Sequence, residues 1–280
     1  MAGKQSSPPV RAGVTNVKLA IGLAAVLSVA TLVATAPAAR ASTEQFCGEL
    51  NATWDGTHCT TLVTSQRKAE MFISLDLPAQ LLDNPTSGPV LRNYYHRLMD
   101  GWRKTGAETP RDSSASTDYQ LFPGPGAVQS LIVHENFEPF GIQANNAYRS
   151  FVFDMSSGRR LTLADLFKPG VDPMQAIPVA AGPVLSAALD AARPPHQANT
   201  YPFTVQEFEP GPDGPGYTGD YRAFGLAADH LTLYMPDDSM LRENPSPQDR
   251  YVWSMDGGTV IVEVPLSALA GSLRPEYGGA

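Results

Sequence analysis

Residues 151–167, F-V-F-D-M-S-S-G-R-R-L-T-L-A-D-L-F, specify a strand, a tight turn, a second strand and a capped helix start within seventeen positions. From residue 148 to 154 the chain alternates Tyr148, Ser150 and Val152 against Arg149, Phe151 and Phe153, the period of a strand with two distinct faces. Ser156-Ser157-Gly158 supplies a turn in which Gly158 takes positive φ without a Cβ clash. Arg159 to Leu161 resumes as a short strand. Thr162 then stands three residues before Asp165, the spacing of a capping box, and Leu163, Leu166 and Phe167 form the buried side of a short helix. Every polar residue in the segment has a structural use, so it is scaffold rather than chemistry.

The same two periods organise the rest of the chain. Residues 70–77 set Phe72, Ser74 and Asp76 against Met71, Ile73, Leu75 and Leu77, a strand with one buried face, stopped by Pro78. Ser87 and Pro89 open a helix whose stripe Leu91, Tyr94, Tyr95, Leu98 and Trp102 recurs at three- and four-residue steps as far as Gly106. At that spacing the aromatics are a core face rather than a ligand cage. Residues 109–116 are polar and read as a loop; 119–122 and 128–137 read as a hairpin around Pro-Gly-Pro-Gly; 139–146 interrupt the pattern. Residues 174–192 are helical in composition but divided by Pro178 and Pro183, which leaves 183–192 as the firmer helix. Hairpins are expected from 221–226 with 230–235, and from 251–255 with 259–264 around Asp256-Gly257-Gly258, before a short helix at 265–269. With 25 Pro and 24 Gly, long uninterrupted helices are not expected. The sum is an α+β fold, antiparallel hairpins packed with a few short helices.

Arg11 and Lys18 precede an apolar run at 19–33, and Ala39-Arg40-Ala41 offers a small-residue cleavage site before Ser42. Export with cleavage is the expectation, with a retained anchor as the alternative. Residues 1–41 carry four of the twenty Lys/Arg and none of the acids, so the remainder has a net charge of −12. That balance, without a basic cluster, excludes nucleic acid as a natural partner, and there is no polybasic run for an anionic membrane. In an oxidising compartment the two cysteines, Cys47 and Cys59, are expected to form one disulfide. His58 beside Cys59 raises a metal or thiol alternative, which a single histidine and two cysteines support poorly. Asn51-Ala52-Thr53 matches a glycosylation sequon.

The search for chemistry is largely negative. The chain contains no G-x-S-x-G elbow, no G-x-G-x-x-G following a strand, no Walker A loop and no H-E-x-x-H. His58, His96, His134, His196 and His230 are dispersed. His134 and Glu135 lie next to each other in a strand and so face opposite ways, and Asp229-His230 falls in a hairpin turn. Glu207, Glu209, Asp213 and Asp220, in an exposed Pro/Gly loop, offer oxygen ligands for Ca²⁺ without EF-hand spacing. A serine hydrolase assembled from separate segments remains the catalytic alternative, since triads are recognised by geometry.

F-C-G-E-L at 46–50 with Cys59, the strand ending Ile73-Ser74-Leu75, the 148–167 block and V-P-L-S-A-L at 264–269 occur in this order in the secreted mycobacterial immunogenic protein family, which the chain resembles. Its later part also resembles the extracellular domain of RsiV-type anti-sigma factors. There a strand ending in aspartate passes through a Gly turn into L-T-x-x-D-L-F, as Phe153-Asp154 through Leu161-Thr162 to Phe167 does here. Where such relatives carry Gly-Gly-x-His before that strand, this chain has P-F-G-I-Q-A-N-N at 139–146. The resemblance implies an α+β fold of β-grasp-like character, secretion, and no established catalytic machinery; in RsiV-type relatives the domain is a sensor that binds lysozyme. The expected organisation is a signal peptide at 1–41, an N-terminal α+β region with the cystine loop at 42–138, and an RsiV-like domain at 139–280. The expected function is a secreted, non-enzymatic binding protein. Its partner would be a protein of lysozyme-like or host type, and no cofactor, metal or catalytic residue is assigned. A cell-wall-associated, esterase-like serine hydrolase is the second class.

Overall fold

The computed structural model describes residues 35–139, 145–191, 221, 223–236 and 259–280. The apolar run 19–33, the acidic loop 207–220, His196, the strand expected at 251–255 and its turn lie outside them.

Helix α1 (Thr35–Glu49) leads into β1 (Thr53–Trp54), β2 (Cys59–Thr64) and β3 (Glu70–Leu75). Two helices follow, α2 (Ala79–Leu82) and α3 (Gly88–Glu108), and then β4 (Ser113–Pro123), β5 (Val128–Pro139), β6 (Asn145–Asp154) and β7 (Arg159–Leu161). These seven strands form one sheet in sequence order. All neighbours are antiparallel except β3 and β4, which run parallel because α2 and α3 cross between them. The sheet is therefore mixed rather than built of hairpins throughout. Residues 113–116, expected as loop, are strand: Ser113 to Thr117 pair with Met71 to Leu75 and bury Ala115 and Thr117. A polar stretch is a good strand when every second residue faces solvent and the backbone finds a ladder.

α3 is 21 residues long, against the expectation of short helices. Its one proline, Pro89, sits in the first turn, where no hydrogen bond is lost. It also runs through Gly106, because a Cβ there would approach Met71 Sδ to 2.9 Å and Val63 Cβ to 3.1 Å; the glycine lets helix and sheet close together. Leu91, Tyr95 and Met99 bury against Met71, Ile73, Leu75, Leu131, Val133 and Phe153, with Phe46 of α1 and the cystine at one end. The expected disulfide is present: Cys47 of α1 joins Cys59 of β2, with Cα atoms 5.5 Å apart.

A second core lies below β5 to β7. It is built from α4 (Leu163–Leu166), α5 (Pro173–Ala191), the antiparallel sheet β8 (Phe224–Leu226), β9 (His230–Pro236), β10 (Thr259–Pro265), and α6 (Leu266–Leu269). The segment 151–167 folds as its sequence indicates, with Gly158 at φ 68° and both halves of the Thr162–Asp165 capping box formed. α5, by contrast, is one helix with Pro178 and Pro183 inside it. Each proline removes a backbone hydrogen bond, but Ile177, Leu185 and Leu189 are almost wholly buried in the second core, and that burial holds the helix through both breaks.

A buried serine helps join the two sheets. On β8 the groups of alternate residues face β9: Ala227 N–H donates to His230 O and Tyr234 N–H donates to Ala223 O. The amide and carbonyl of Leu226 therefore point the other way, toward β5. There Ser130 Oγ accepts from Leu226 N at 2.9 Å and donates to Leu226 O at 3.0 Å. Gly225 beside it lets Phe122 approach, since a Cβ would lie 2.4 Å from the ring.

Candidate functional site

Strand alternation divides the seven-stranded sheet. Met71, Ile73, Leu75, Leu131 and Val133 face α3, so their neighbours Phe72, Ser74, Ile132 and His134 face the opposite side. The β8–β10 sheet packs on the lower part of that opposite side, around Ser130, Phe122 and Tyr148. Across β2, β3 and β4 the side remains accessible, and its rows can be read from the register.

The first row crosses the sheet as His58, Asp76, Asp118, His134, Tyr148 and then Tyr234 of β9. His58 Nε2 lies 3.1 Å from Asp76 Oδ1, and its Nδ1 lies 3.7 Å from Asp55 Oδ2. His134 Nδ1 is 2.8 Å from Asp118 Oδ2, and the imidazole stacks on Tyr148 with ring centroids 4.8 Å apart. Tyr148 stacks in turn on Tyr234 at 5.0 Å, and the Tyr234 hydroxyl donates to Gln120 Oε1 at 3.0 Å. Partial burial raises the Asp76 carboxyl above its usual range; His58 opposes the shift, and Asp118 and Asp55 reinforce it. Asp55 is held below its usual range, first by the His58 backbone N–H and then by that of Thr57. Burial pushes the Tyr234 phenol well up, with Tyr148 and Glu263 adding to it.

The second row is Thr60, Ser74, Ser116 and Asn136, all half-exposed hydroxyls and one amide. The third is Leu62, Phe72, Ser114 and Glu138. In it two large apolar side chains stand side by side in water, Leu62 at 55% and Phe72 at 49% exposure. Beyond them come Thr64 and Glu70. The surface is thus an apolar pair next to a line of hydroxyls and a line of histidine-held carboxylates.

The face toward α3 carries a different polar cluster. Glu135 is 7% exposed and accepts from the Tyr94 hydroxyl at 2.8 Å and from Arg149 Nε at 2.9 Å. Burial, with the Glu135 charge second, raises the Tyr94 phenol well above its ordinary value. It is a closed structural network, and it confirms that His134 and Glu135 point to opposite sides.

Of the histidines, His58 and His134 belong to the open face. His96 meets the edge of the Phe46 ring at 5.5 Å, and His230 lies 2.7 Å from Asp229 Oδ1. The cysteine beside His58 is in the disulfide, so that histidine is oriented by carboxylates instead. The polar side of β3, Phe72-x-Ser74-x-Asp76, was legible in the sequence. Its continuation through Asp118, His134 and Tyr148 was not, because those residues meet only through register.

A family model described as mannan-binding protein matches residues 36–70, which span α1, the cystine, β1, β2 and the first residue of β3. No curated protein matches the chain. Solved structures similar to it include a DUF3298 family protein from Pseudomonas aeruginosa PAO1, at 12% identity and TM-score 0.45, covering 80% of this chain and 94% of that one. A DUF3298 family member from Bacteroides fragilis NCTC 9343 has 12% identity and TM-score 0.45, covering 79% of this chain and 92% of that one.

Proposed function

We propose that this is an exported, non-enzymatic binding protein that holds a glycan on the open face of the seven-stranded sheet, across β2 to β5. The observation that carries the reading is the Leu62–Phe72 pair, half in water, beside the Thr60–Ser74–Ser116–Asn136 row. A sugar ring has an apolar C–H face and a rim of hydroxyls. An exposed aromatic ring meets the first, while hydroxyls, an amide and carboxylates in fixed positions meet the second. The stretch matched by the mannan-binding family model supplies β1, β2 and the entry to β3, one side of this face. The disulfide suits an oxidising compartment, and removal of residues 1–41 is the proposed route there.

Calorimetric titration of the 42–280 chain with α-mannan oligosaccharides tests the reading, with lysozyme run in parallel as a protein ligand. Saturable glycan binding, weakened about tenfold by Phe72→Ala through lost ring contact, is the expected result. Mannan binding indifferent to Phe72→Ala and Leu62→Ser, or saturable binding of lysozyme alone, would overturn it.

A further inference from the structure

The open face also carries a charge pattern that restricts which glycan it accepts. The positions of β1 to β6 that point to this side include Glu70, Asp118 and Glu138, with Asp76 just past β3, and not one lysine or arginine. Arg67 and Lys68 stand in the β2–β3 turn, at the Glu70 end. Glu70 neighbours Phe72 along β3 and Glu138 ends the Leu62–Phe72 row beyond Ser114, while Asp76 and Asp118 border the hydroxyl row on its other side. Asp76 and Asp118 each have one oxygen held by an imidazole, His58 Nε2 on Asp76 Oδ1 and His134 Nδ1 on Asp118 Oδ2. The other oxygen of each has no partner among the described residues. They are acceptors in fixed positions, suited to ligand hydroxyls and repellent to a ligand anion.

We infer that this face discriminates by charge as well as by shape: it takes uncharged, hydroxyl-rich glycans and rejects phosphate- or uronate-bearing ones, with Asp76 and Asp118 as the specificity-determining residues. The inference rests on the glycan-binding reading above and adds the ligand class. Rejection by like charge is the repulsive half of specificity, and it acts on ligands that the apolar pair alone would accept. A ligand anion at contact distance from one carboxylate in water loses roughly fivefold in affinity, so two such neighbours make more than tenfold.

The experiment compares neutral α-mannan with the same mannan partly phosphorylated, titrated into the 42–280 chain at low and at high salt. The neutral chain should bind at least tenfold more tightly at low salt, and the gap should close toward 1 M salt as the Debye length shrinks to about 3 Å. In the Asp76→Asn, Asp118→Asn double variant, checked for folding by its thermal transition, the ratio should fall to within threefold, whatever happens to the neutral affinity. Equal or tighter binding of the phosphorylated mannan by the unaltered protein overturns the charge inference and leaves the glycan reading standing. A ratio that survives the double variant overturns the assignment to these two residues. Absence of binding by either mannan overturns both.

Discussion

Ser130→Ala is a small change with a large expected cost. Ser130 and Leu226 are both fully buried, and the serine hydroxyl is the partner that the outward-facing amide and carbonyl of Leu226 find. Alanine fits the space and removes a buried hydroxyl, which by itself is close to neutral. What it leaves is a backbone N–H and a backbone C=O in an apolar interior, each costing about 1–3 kcal/mol when unpaired. The net expectation is a loss of about 2–4 kcal/mol. For a domain of this size that lowers the thermal midpoint by roughly 5–15 °C. Differential scanning fluorimetry followed by urea unfolding of the 42–280 chain measures it, with Ser116→Ala as the control. Ser116 lies on the same side of the sheet but in its accessible part, so its removal should stay within about 0.5 kcal/mol. If Ser130→Ala costs no more than the control, the two sheets are not joined through this hydroxyl and the account of their packing is wrong.

Other perturbations have equally definite signs. Replacing Cys47 and Cys59 together by serine opens a link between residues twelve apart and should cost about 3 kcal/mol in urea unfolding; a difference under 1 kcal/mol would show that α1 docks without it. Gly225→Ala puts a methyl 2.4 Å from the Phe122 ring and should cost about 1–3 kcal/mol, partly restored by adding Phe122→Leu; an unrestored loss would place the strain elsewhere. The Asp154 carboxyl is lowered to about 2, first by the Ser156 hydroxyl and then by that of Ser157. Because the folded value lies below the ordinary 3.8, its contribution is complete above that pH and lost as pH falls through about 2. Asp154→Asn should therefore flatten the acid limb of the stability curve between about pH 4 and pH 2, and an unchanged limb would count against the turn's role. Tyr94→Phe removes the phenol that donates to buried Glu135 and should cost about 1–2 kcal/mol by the same unfolding assay, a neutral result meaning that Arg149 alone satisfies the carboxylate.

What was legible in the sequence was local. The 151–167 segment reads correctly because its turn, cap and alternation lie within a few residues of one another, so no distant contact can overrule them. The stripe of α3 reads in part for the same reason: Leu91, Tyr94 and Tyr95 are buried, Leu98 and Trp102 partly so, and Met99, outside the expected stripe, is fully buried. α5 does not: Pro178 and Pro183 argue locally for a break, and only the burial of Ile177, Leu185 and Leu189 against residues far along the chain overrides it. Residues 113–116 fail likewise, since serines and an alanine say nothing about a parallel partner that lies forty residues earlier. Hairpin partners are neighbours in sequence, whereas a crossover partner is not.

Beyond the β3 side Phe72, Ser74 and Asp76, the candidate site belongs to the second kind of information. His58, Asp76, Asp118, His134, Tyr148 and Tyr234 are spread over most of the chain and are adjacent only because four strand pairings, and the stacking of Tyr234 on Tyr148, place them in one row. A shift of one residue in any of those pairings would send the next residue of that strand to the open face, Leu75 for Asp76 or Glu135 for His134. What prevents the shift is the other side of the same strands, where Met71, Ile73, Leu75, Val133 and Phe153 are locked against α3. The register of the polar face is therefore set by apolar side chains that never touch a ligand. This separates the two roles experimentally. Exchanges among Phe72, Ser74, Ser116 and Asn136 should change binding with little effect on unfolding, while Ile73→Ala should cost several kcal/mol by emptying a fully buried position. It should also weaken the site without removing any side chain from it, because the row it disturbs is held from behind.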